Sequence, residues 1–216
     1  MEASNATLYC SVTLGELTTA CVYKPVRGER PLWDFPDGTL AEREVAAYLV
    51  SVATGWDLVP PTILRDGPFG TGMCQLWQEP DENVDVVSLV RGGRDERLRR
   101  MSVFDAVVNN ADSKGGHLLP QSSGHLYGCD HGLTFHVEDK LRTLLWAWAG
   151  DPLTDEALDV LSRLRADLEG PLGTALDELL TRREVRRTIR RVDQLLTAGC
   201  HPMPSDDWPS VPWPPF

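Results

Sequence analysis

The sequence lacks the features of a secreted or membrane-spanning protein. No apolar run among its 216 residues approaches the roughly 20 residues that a transmembrane helix needs. The first residues, from Met1 to Leu8, also lack the basic stretch and apolar core of a secretion signal. We therefore expect a cytoplasmic protein that makes no stable membrane insertion.

The sequence is poor in cysteine and in positive charge. Its five cysteines are an odd number without a C-x-x-C pair, which argues against a disulfide framework and a zinc knuckle. Lys and Arg number 21 against 32 acidic residues, giving a formal net charge of −11. Because nucleic-acid-binding proteins carry an excess of basic residues, no nucleic-acid partner is expected. The arginine-rich stretch 182–191 is typical of a solvated helix face, or alternatively of a surface that meets an anionic acceptor.

Composition and length fit one globular domain, with 42% hydrophobic and 25% charged residues. We predict a single α+β domain over residues 1–201. It would consist of a small β-rich N-terminal part, about 1–80, and a mainly helical C-terminal part, about 81–201. Residues 202–216 form a tail rich in proline and tryptophan that has neither helical nor strand periodicity.

Turn and cap signals divide the chain into elements. Thr7–Tyr23 has the pattern of a β-hairpin turning at Leu14–Glu16. Thr39 is a candidate cap for a helix over 40–53 that ends at Gly55. The remaining predicted elements are strands at 59–64 and 73–77, a helix at 95–108, a hairpin turning at 120–124, and helices at 137–149 and 153–198 with breaks at 150–152 and 170–171.

Two residues in the first part suggest a phosphate-binding pair. Phosphoryl transfer from ATP needs a cation on the phosphates and a fixed carboxylate that orients this cation. Lys24 ends a predicted strand in the context Val22-Tyr23-Lys24, as the phosphate-binding lysine of protein kinases does. Glu44 lies on the next predicted helix, where its carboxylate could neutralise and orient Lys24.

The segment from Asn109 to His117 has the spacing of a kinase catalytic loop. Such a loop carries an aspartate, a lysine two residues later and a metal ligand five residues later, positions held here by Asp112, Lys114 and His117. Asp130-His131-Gly132 then follows the next predicted hairpin, in the place of D-F-G. We expect Asp112 to orient the acceptor hydroxyl, Lys114 to balance charge, and Asp130 and His117 to hold Mg²⁺ or Mn²⁺.

Together these motifs resemble those of the phosphatidylinositol 3-/4-kinase-like superfamily, and closely those of its compact actinobacterial members of unassigned substrate. The segments Arg43–Tyr48 and Val59–Thr62 share in the similarity, which extends from about Ser4 to Gly150. The resemblance implies a bilobal, protein-kinase-like fold, ATP, a divalent metal and a hydroxyl acceptor that is a small molecule or a protein. It also implies that Ser4, Asn5 and Ala6 form the phosphate-binding loop and that residues 75–79 form the adenine hinge.

Two departures from the superfamily pattern keep other functions open. His117 stands where Asn is common, and Ser113 stands where Arg is usual. These departures favour the alternative of a pseudokinase, a nucleotide-binding module with weak or no turnover. A further alternative is a metal-dependent hydrolase that uses His117 and Asp130 together with His131 and His136, although these two histidines could equally be structural.

Overall fold

The structure, a computed structural model, describes residues 6–216 and has a mixed α+β architecture. Within that range a four-stranded antiparallel sheet has the order β1-β2-β4-β3, and β5 and β6 form a separate hairpin. The strands are β1 (Leu8–Leu14), β2 (Leu17–Pro25), β3 (Thr62–Gly67), β4 (Gly70–Leu76), β5 (Leu118–Pro120) and β6 (Leu126–Gly128). The α-helices are α1 (Leu40–Thr54), α2 (Val86–Gly92), α3 (Glu96–Val108), α4 (Asp155–Leu168), α5 (Pro171–Asp177) and α6 (Arg182–Ala198).

The first hairpin forms where the sequence predicts it. Leu14 pairs with Leu17 across a tight turn in which Gly15 has φ of 61°, a left-handed conformation that favours glycine. The second strand is longer than predicted and includes Lys24, which lies opposite Met73 of β4. Lys24 is therefore held within the sheet.

The helix predicted after Thr39 is present as α1, but a different side chain caps it. The carboxylate of Glu29 accepts hydrogen bonds from the backbone N–H groups of Leu40 (3.2 Å) and Ala41 (3.0 Å). The Thr39 hydroxyl donates instead to the carbonyl of Pro36. The helix ends at Gly55 as predicted, in a left-handed conformation with φ of 71°.

One main core joins α1 to the C-terminal helices. Ala46, Ala47 and Val50 of α1 are buried in the same apolar cluster as residues of α3, α4 and α6. Burial of this apolar surface is the main driving force for the packing. A buried ion pair between Arg43 of α1 and Glu184 of α6 adds a second link between these elements.

The prediction of a helix over residues 137–149 is wrong. Apart from a short 3-10 turn at Trp146–Trp148, this segment is irregular. Its backbone N–H groups bond to other segments: that of Lys140 to Asn109 Oδ1 (2.9 Å) and that of Arg142 to the Asn110 carbonyl (2.9 Å). Long-range hydrogen bonds thus replace the local ones of a helix. Helix α2 was not predicted, because its seven residues are too few to show a clear helical period.

The tail 202–216 has no helix or strand and lies along the irregular segment. The carbonyl of Ser210 accepts hydrogen bonds from the Thr143 N–H (3.0 Å) and from Trp146 Nε1 (2.9 Å). The carbonyl of Pro215 accepts one from the Gly115 N–H (2.9 Å). Over the described range, the helices are all too short or too polar to cross a lipid bilayer.

Candidate functional site

A cleft lies between the four-stranded sheet, helix α1 and two loops of the C-terminal part. Strand β2 contributes Lys24, β4 contributes Met73, and α1 contributes Glu44. The loop after α3 contributes Asp112, and the segment after β6 contributes Asp130. Residues far apart in the sequence thus meet in one concave site.

Lys24 lies between two carboxylates. Its Nζ donates to Glu44 Oε1 and to Asp130 Oδ1, each at 2.7 Å. Burial disfavours the charged ammonium, but the two carboxylates outweigh this effect and hold the pKa of Lys24 above its usual value. Lys24 is therefore a fixed cation at the base of the cleft.

Glu44 connects Lys24 to the backbone that carries Asp130. The Glu44 side chain is only 2% exposed, and both of its oxygens are used. While Oε1 binds Lys24, Oε2 accepts a hydrogen bond from the backbone N–H of His131 at 2.8 Å. One buried carboxylate thereby fixes the positions of Lys24 and of the residue next to Asp130.

Asp130 is held in an unusual backbone conformation with an accessible carboxylate. Its φ is 61°, in the left-handed region that few non-glycine residues adopt, and such positions often occur at functional sites. Its side chain is 51% exposed. Partial desolvation opposes ionisation, but Lys24 and then His117 lower the pKa of Asp130 to about 2. At neutral pH this carboxylate is ionised.

The loop that carries Asp112 is braced by its own side chains. Asn110 Oδ1 accepts a hydrogen bond from the Asp112 N–H (3.0 Å), and Asp112 Oδ2 pairs with Lys114 Nζ (2.8 Å). The N–H of Ala111 donates to the carbonyl of Leu133, close to Asp130 in the sequence. The two loops that carry the aspartates are thus hydrogen-bonded to each other.

A buried carboxylate beneath this loop was not predicted from the sequence. Asp105 of α3 is 1% exposed and accepts hydrogen bonds from Asn110 Nδ2 (3.0 Å), Ser113 Oγ (2.6 Å) and Thr143 Oγ1 (3.0 Å). Burial raises its pKa to about 6. The sequence signal was a lone acid inside the apolar run Val103–Val108. In the sequence, Ser113 stood out only because arginine is usual at this position. In the structure its hydroxyl donates a hydrogen bond to the buried Asp105 carboxylate.

Asp130 and His117, the two expected metal ligands, lie next to each other. Their Oδ2 and Nε2 atoms are 3.5 Å apart. Among residues 6–216, no group of three or more His, Cys, Asp or Glu side chains is arranged to hold a metal ion. Mg²⁺ is commonly held by one or two carboxylates together with water and substrate phosphate oxygens, so a site with few protein ligands fits a metal that arrives with a nucleotide.

The other two histidines of the hydrolase alternative have packing roles. His131 is 2% exposed and lies edge-on to the Phe104 ring, with centroids 5.5 Å apart. His136 lies against Phe35 at 5.2 Å, and its Nδ1 accepts a hydrogen bond from the Glu138 N–H. Together with Asp130 and His117 they do not form a metal-binding group.

The expected phosphate-binding loop falls mostly beyond what the structure covers. Ser4 and Asn5 lie outside the described residues. The Ala6 N–H donates to the Gly28 carbonyl at 3.2 Å, next to the 3-10 turn Val26–Gly28 that follows β2. Ala6 is not among the residues that line the cleft.

Comparison with known proteins places the chain in a family. No family model matches it. The chain is 48% identical to Protein Rv2133c of Mycobacterium tuberculosis over an alignment of 249 positions, which covers all of this chain and 89% of the relative. This chain belongs to the family of Protein Rv2133c. The name Rv2133c describes no reaction, so the chemistry of the Rv2133c family has to be inferred from the site.

Proposed function

We propose that this protein is an ATP-dependent phosphotransferase that moves the γ-phosphate to a hydroxyl acceptor. The fold would be of the bilobal kinase-like kind seen in the phosphatidylinositol 3-/4-kinase-like superfamily, with the nucleotide in the cleft. The observation that carries the proposal is the position of Lys24, whose Nζ lies 2.7 Å from both Glu44 and Asp130, with Asp112 in the same cleft.

This arrangement supplies the groups that phosphoryl transfer needs. The reaction requires little covalent chemistry from the protein, which acts by positioning and by stabilising charge. Lys24 would bind phosphate oxygens, and the buried Glu44 keeps it charged and oriented. Asp112 would accept or orient the hydroxyl proton of the acceptor. Lys114, now paired with Asp112 at 2.8 Å, would balance charge on the transferred group.

Asp130 and His117 would hold the divalent metal. Bound there, Mg²⁺ or Mn²⁺ would neutralise charge on the phosphate oxygens. Imidazole is a softer ligand than a carboxylate, so His117 favours Mn²⁺ more than an oxygen ligand would. The ionised, half-exposed Asp130 carboxylate fits either metal.

A nucleotide-binding pseudokinase is the second candidate. It is favoured by His117, whose Nδ1 is buried without a hydrogen-bond partner among the described residues, which is an incomplete setting for a metal ligand. In this case the cleft would bind ATP and stabilise the protein but would not transfer phosphate. The metal-dependent hydrolase has no comparable support, because its four residues are not assembled.

The test is transfer of label from [γ-³²P]ATP, with Mg²⁺ or Mn²⁺, to components of a fractionated cell extract. Asp112→Asn and Asp130→Asn should each reduce transfer about 10²-fold or more, because they remove the hydroxyl-orienting group and the metal carboxylate. Asp37→Asn is a matched control, since Asp37 is an exposed carboxylate that does not line the cleft. Its transfer rate should equal that of the wild type.

Thermal denaturation with ATP separates the two candidates. A ligand that binds only the native state raises the melting temperature. ATP-dependent stabilisation without label transfer would support the pseudokinase. Transfer that survives in Asp112→Asn or Asp130→Asn, or the absence of both binding and transfer, would contradict the proposed site.

A further inference from the structure

Asp105, in the last turn of α3, is a buried carboxylate whose partners are neutral. It is 1% exposed. Within residues 6–216, the groups that act on its pKa are the amide of Asn110 and the hydroxyls of Ser113 and Thr143, and no lysine or arginine is among them. Burying a carboxylate without a cation is costly. This cost makes a purely stabilising role a poor explanation for the residue.

The first oxygen of Asp105 fixes the orientation of the Asn110 amide. Asn110 Nδ2 donates to Asp105 Oδ1 at 3.0 Å. An ionised carboxylate can only accept hydrogen bonds, so the nitrogen of this amide has to face Asp105. The oxygen of the same amide then faces the Asp112 N–H and accepts its hydrogen bond at 3.0 Å. Asp105 thereby determines, through Asn110, where the backbone of Asp112 lies.

The second oxygen of Asp105 holds the residue that follows Asp112. Ser113 Oγ donates to Asp105 Oδ2 at 2.6 Å, and Thr143 Oγ1 donates to the same oxygen at 3.0 Å. The Ser113 N–H donates to the Arg142 carbonyl at 3.0 Å, so side chain and backbone both join the loop to the irregular segment. Asp112 is therefore fixed from both sides, while its own carboxylate lines the cleft.

We propose that Asp105 is a positioning residue for phosphotransfer, whose ionised carboxylate holds Asp112 in the place where it orients the acceptor hydroxyl. This inference rests on the proposed function and adds a residue that touches neither nucleotide nor acceptor. A displacement of about 1 Å in a positioning group can cost about 10²-fold in rate. Within the described chain, none of the three side-chain hydrogen bonds of Asp105 goes to Lys24 or Glu44, so ATP binding should not depend on it.

Asp105→Asn tests the proposal with little change in shape. If the new amide nitrogen faces Ser113 and Thr143, their two hydroxyl protons lose their acceptor. If it faces Asn110, the Asn110 amide can no longer keep its nitrogen on this side. With [γ-³²P]ATP and the accepting fraction of a cell extract, we expect the maximal rate at saturating ATP to fall about tenfold or more. KM for ATP should change by less than about twofold.

Acidification should have a similar effect on the wild type. Burial raises the pKa of Asp105 to about 6, and the hydrogen bonds from its three neutral neighbours only partly oppose this. Above this pH the carboxylate is ionised and accepts all three bonds, whereas below it one oxygen carries a proton. The maximal rate of the wild type should therefore fall on the acid side with a midpoint near pH 6, and Asp105→Asn should lack this step.

Hydrogen–deuterium exchange with mass spectrometry follows the loop without any need for activity. The N–H groups of residues 111–113 all donate hydrogen bonds. In Asp105→Asn, the amides of residues 110–113 should exchange about tenfold faster, while those of α1 keep their rates. Ser113→Ala removes one donor and keeps the carboxylate, so it should cause a smaller increase. Circular dichroism of both variants shows whether the fold is kept.

Asp159→Asn is the matched control for the rate and for the exchange. Asp159 is an exposed aspartate of α4 that does not line the cleft. This variant carries the same chemical change on a helix and should equal the wild type in both measurements.

Two results would overturn the proposal. Unchanged exchange of residues 110–113 in Asp105→Asn and Ser113→Ala would show that Asp105 does not order the loop. Faster exchange with an unchanged maximal rate would show that transfer does not need this order. A wild type that transfers no label would overturn the proposed function instead, and the exchange data would still decide whether Asp105 holds the loop.

Discussion

At the scale of single residues, Glu44 links two parts of the candidate site. It is a buried carboxylate that accepts hydrogen bonds from Lys24 Nζ and from the His131 N–H through separate oxygens. A neutral amide could keep one of these contacts as an acceptor but would turn a donor toward the other. The orientation of Lys24 therefore depends on the charge of Glu44 as well as on its shape.

Glu44→Gln should weaken ATP binding with a smaller effect on folding. Lys24 would retain only Asp130 as an ionic partner and would lose its fixed position, so we expect KM for ATP to rise about tenfold or more. Steady-state kinetics or ATP titration measures the change. Glu42→Gln, two residues away on the same helix and outside the cleft, serves as the control. An unchanged KM in Glu44→Gln would contradict the role of Glu44 as the residue that orients Lys24.

His131 behaves as an apolar aromatic residue. It is buried against Phe104, and its Nδ1 has no hydrogen-bond partner among the residues that the structure covers. Burial lowers the pKa of His131 to about 3, from 6.5 in an unperturbed histidine. Between these values the unfolded chain binds more protons than the folded chain, so the free energy of unfolding falls as pH drops from about 6.5 toward 3.

His131→Phe should reduce this acid sensitivity. Phenylalanine takes up no proton, and the backbone N–H that binds Glu44 is retained. We expect the variant to be more stable by about 1 kcal/mol at pH 7, because an unpartnered buried nitrogen is removed, and by a larger margin at pH 5. Urea denaturation at both pH values measures this difference. His201, which burial also keeps neutral, leaves some acid sensitivity in both proteins. If the stability difference between His131→Phe and the wild type is no larger at pH 5 than at pH 7, His131 is not the source of the acid sensitivity.

At the scale of elements, helix α1 begins on a side chain distant in the sequence. Glu29 satisfies the N–H groups of Leu40 and Ala41, a role that sequence patterns assign to the neighbouring Thr39. Helix α1 also carries Glu44 into the cleft. The cap at the start of this helix therefore helps to fix the position of Glu44 relative to Lys24.

Glu29→Ala should destabilise the protein more than Thr39→Ala. Loss of a capping side chain costs about 0.5–2 kcal/mol, whereas the Thr39 hydroxyl bonds mainly to the Pro36 carbonyl. Chemical denaturation of the two variants provides the comparison. A larger loss for Thr39→Ala would show that the local cap dominates.

Helices and strands were predicted correctly where the residues that determine them are close together in the sequence. The hairpin with Gly15 and the stop at Gly55 were predictable because turn and cap residues act within a few positions. The segment 137–149 was not, because its N–H groups bond to Asn109, Asn110 and Ser210, which are remote in the sequence. Asp105 was missed for the same reason: only the folded chain brings Ser113 and Thr143 to its carboxylate.

The residues of the site were predictable to different extents. The types and spacing of Lys24, Asp112 and Asp130 can be read along the chain, and the structure brings them into one cleft. The direct contact of Lys24 with Asp130 depends on the pairing of β2 with β4 and on the left-handed backbone at Asp130. Neither feature has a signal in the sequence.

At the scale of the whole molecule, the tail links three distant regions. Lys140 Nζ lies 4.7 Å from the ring centroids of both Trp33 and Trp208 and pairs with Asp34 at 2.7 Å. Farther along, the Phe216 ring packs directly on Gly115 of the candidate catalytic loop. The tail therefore connects the loop before α1, the irregular segment at Lys140 and the loop that carries Asp112.

Phe216→Ala should loosen the Asp112 loop. Without the ring, the hydrogen bond from the Gly115 N–H to the Pro215 carbonyl becomes more exposed to solvent. The amide hydrogens of residues 113–117 should therefore exchange faster. Hydrogen–deuterium exchange with mass spectrometry measures this. Val211→Ala, a truncation at another partly exposed tail residue, is the control and should leave the exchange unchanged. Equal protection in Phe216→Ala would mean that the loop is rigid without the tail.

The contact between Phe216 and Gly115 also constrains how relatives of this chain can diverge. A methyl group at position 115 would meet the Phe216 ring at 2.1 Å, closer than atoms can approach. A side chain at position 115 would therefore require the Phe216 ring, which is 44% exposed, to move or to be replaced. The two positions are expected to covary across an alignment of the family.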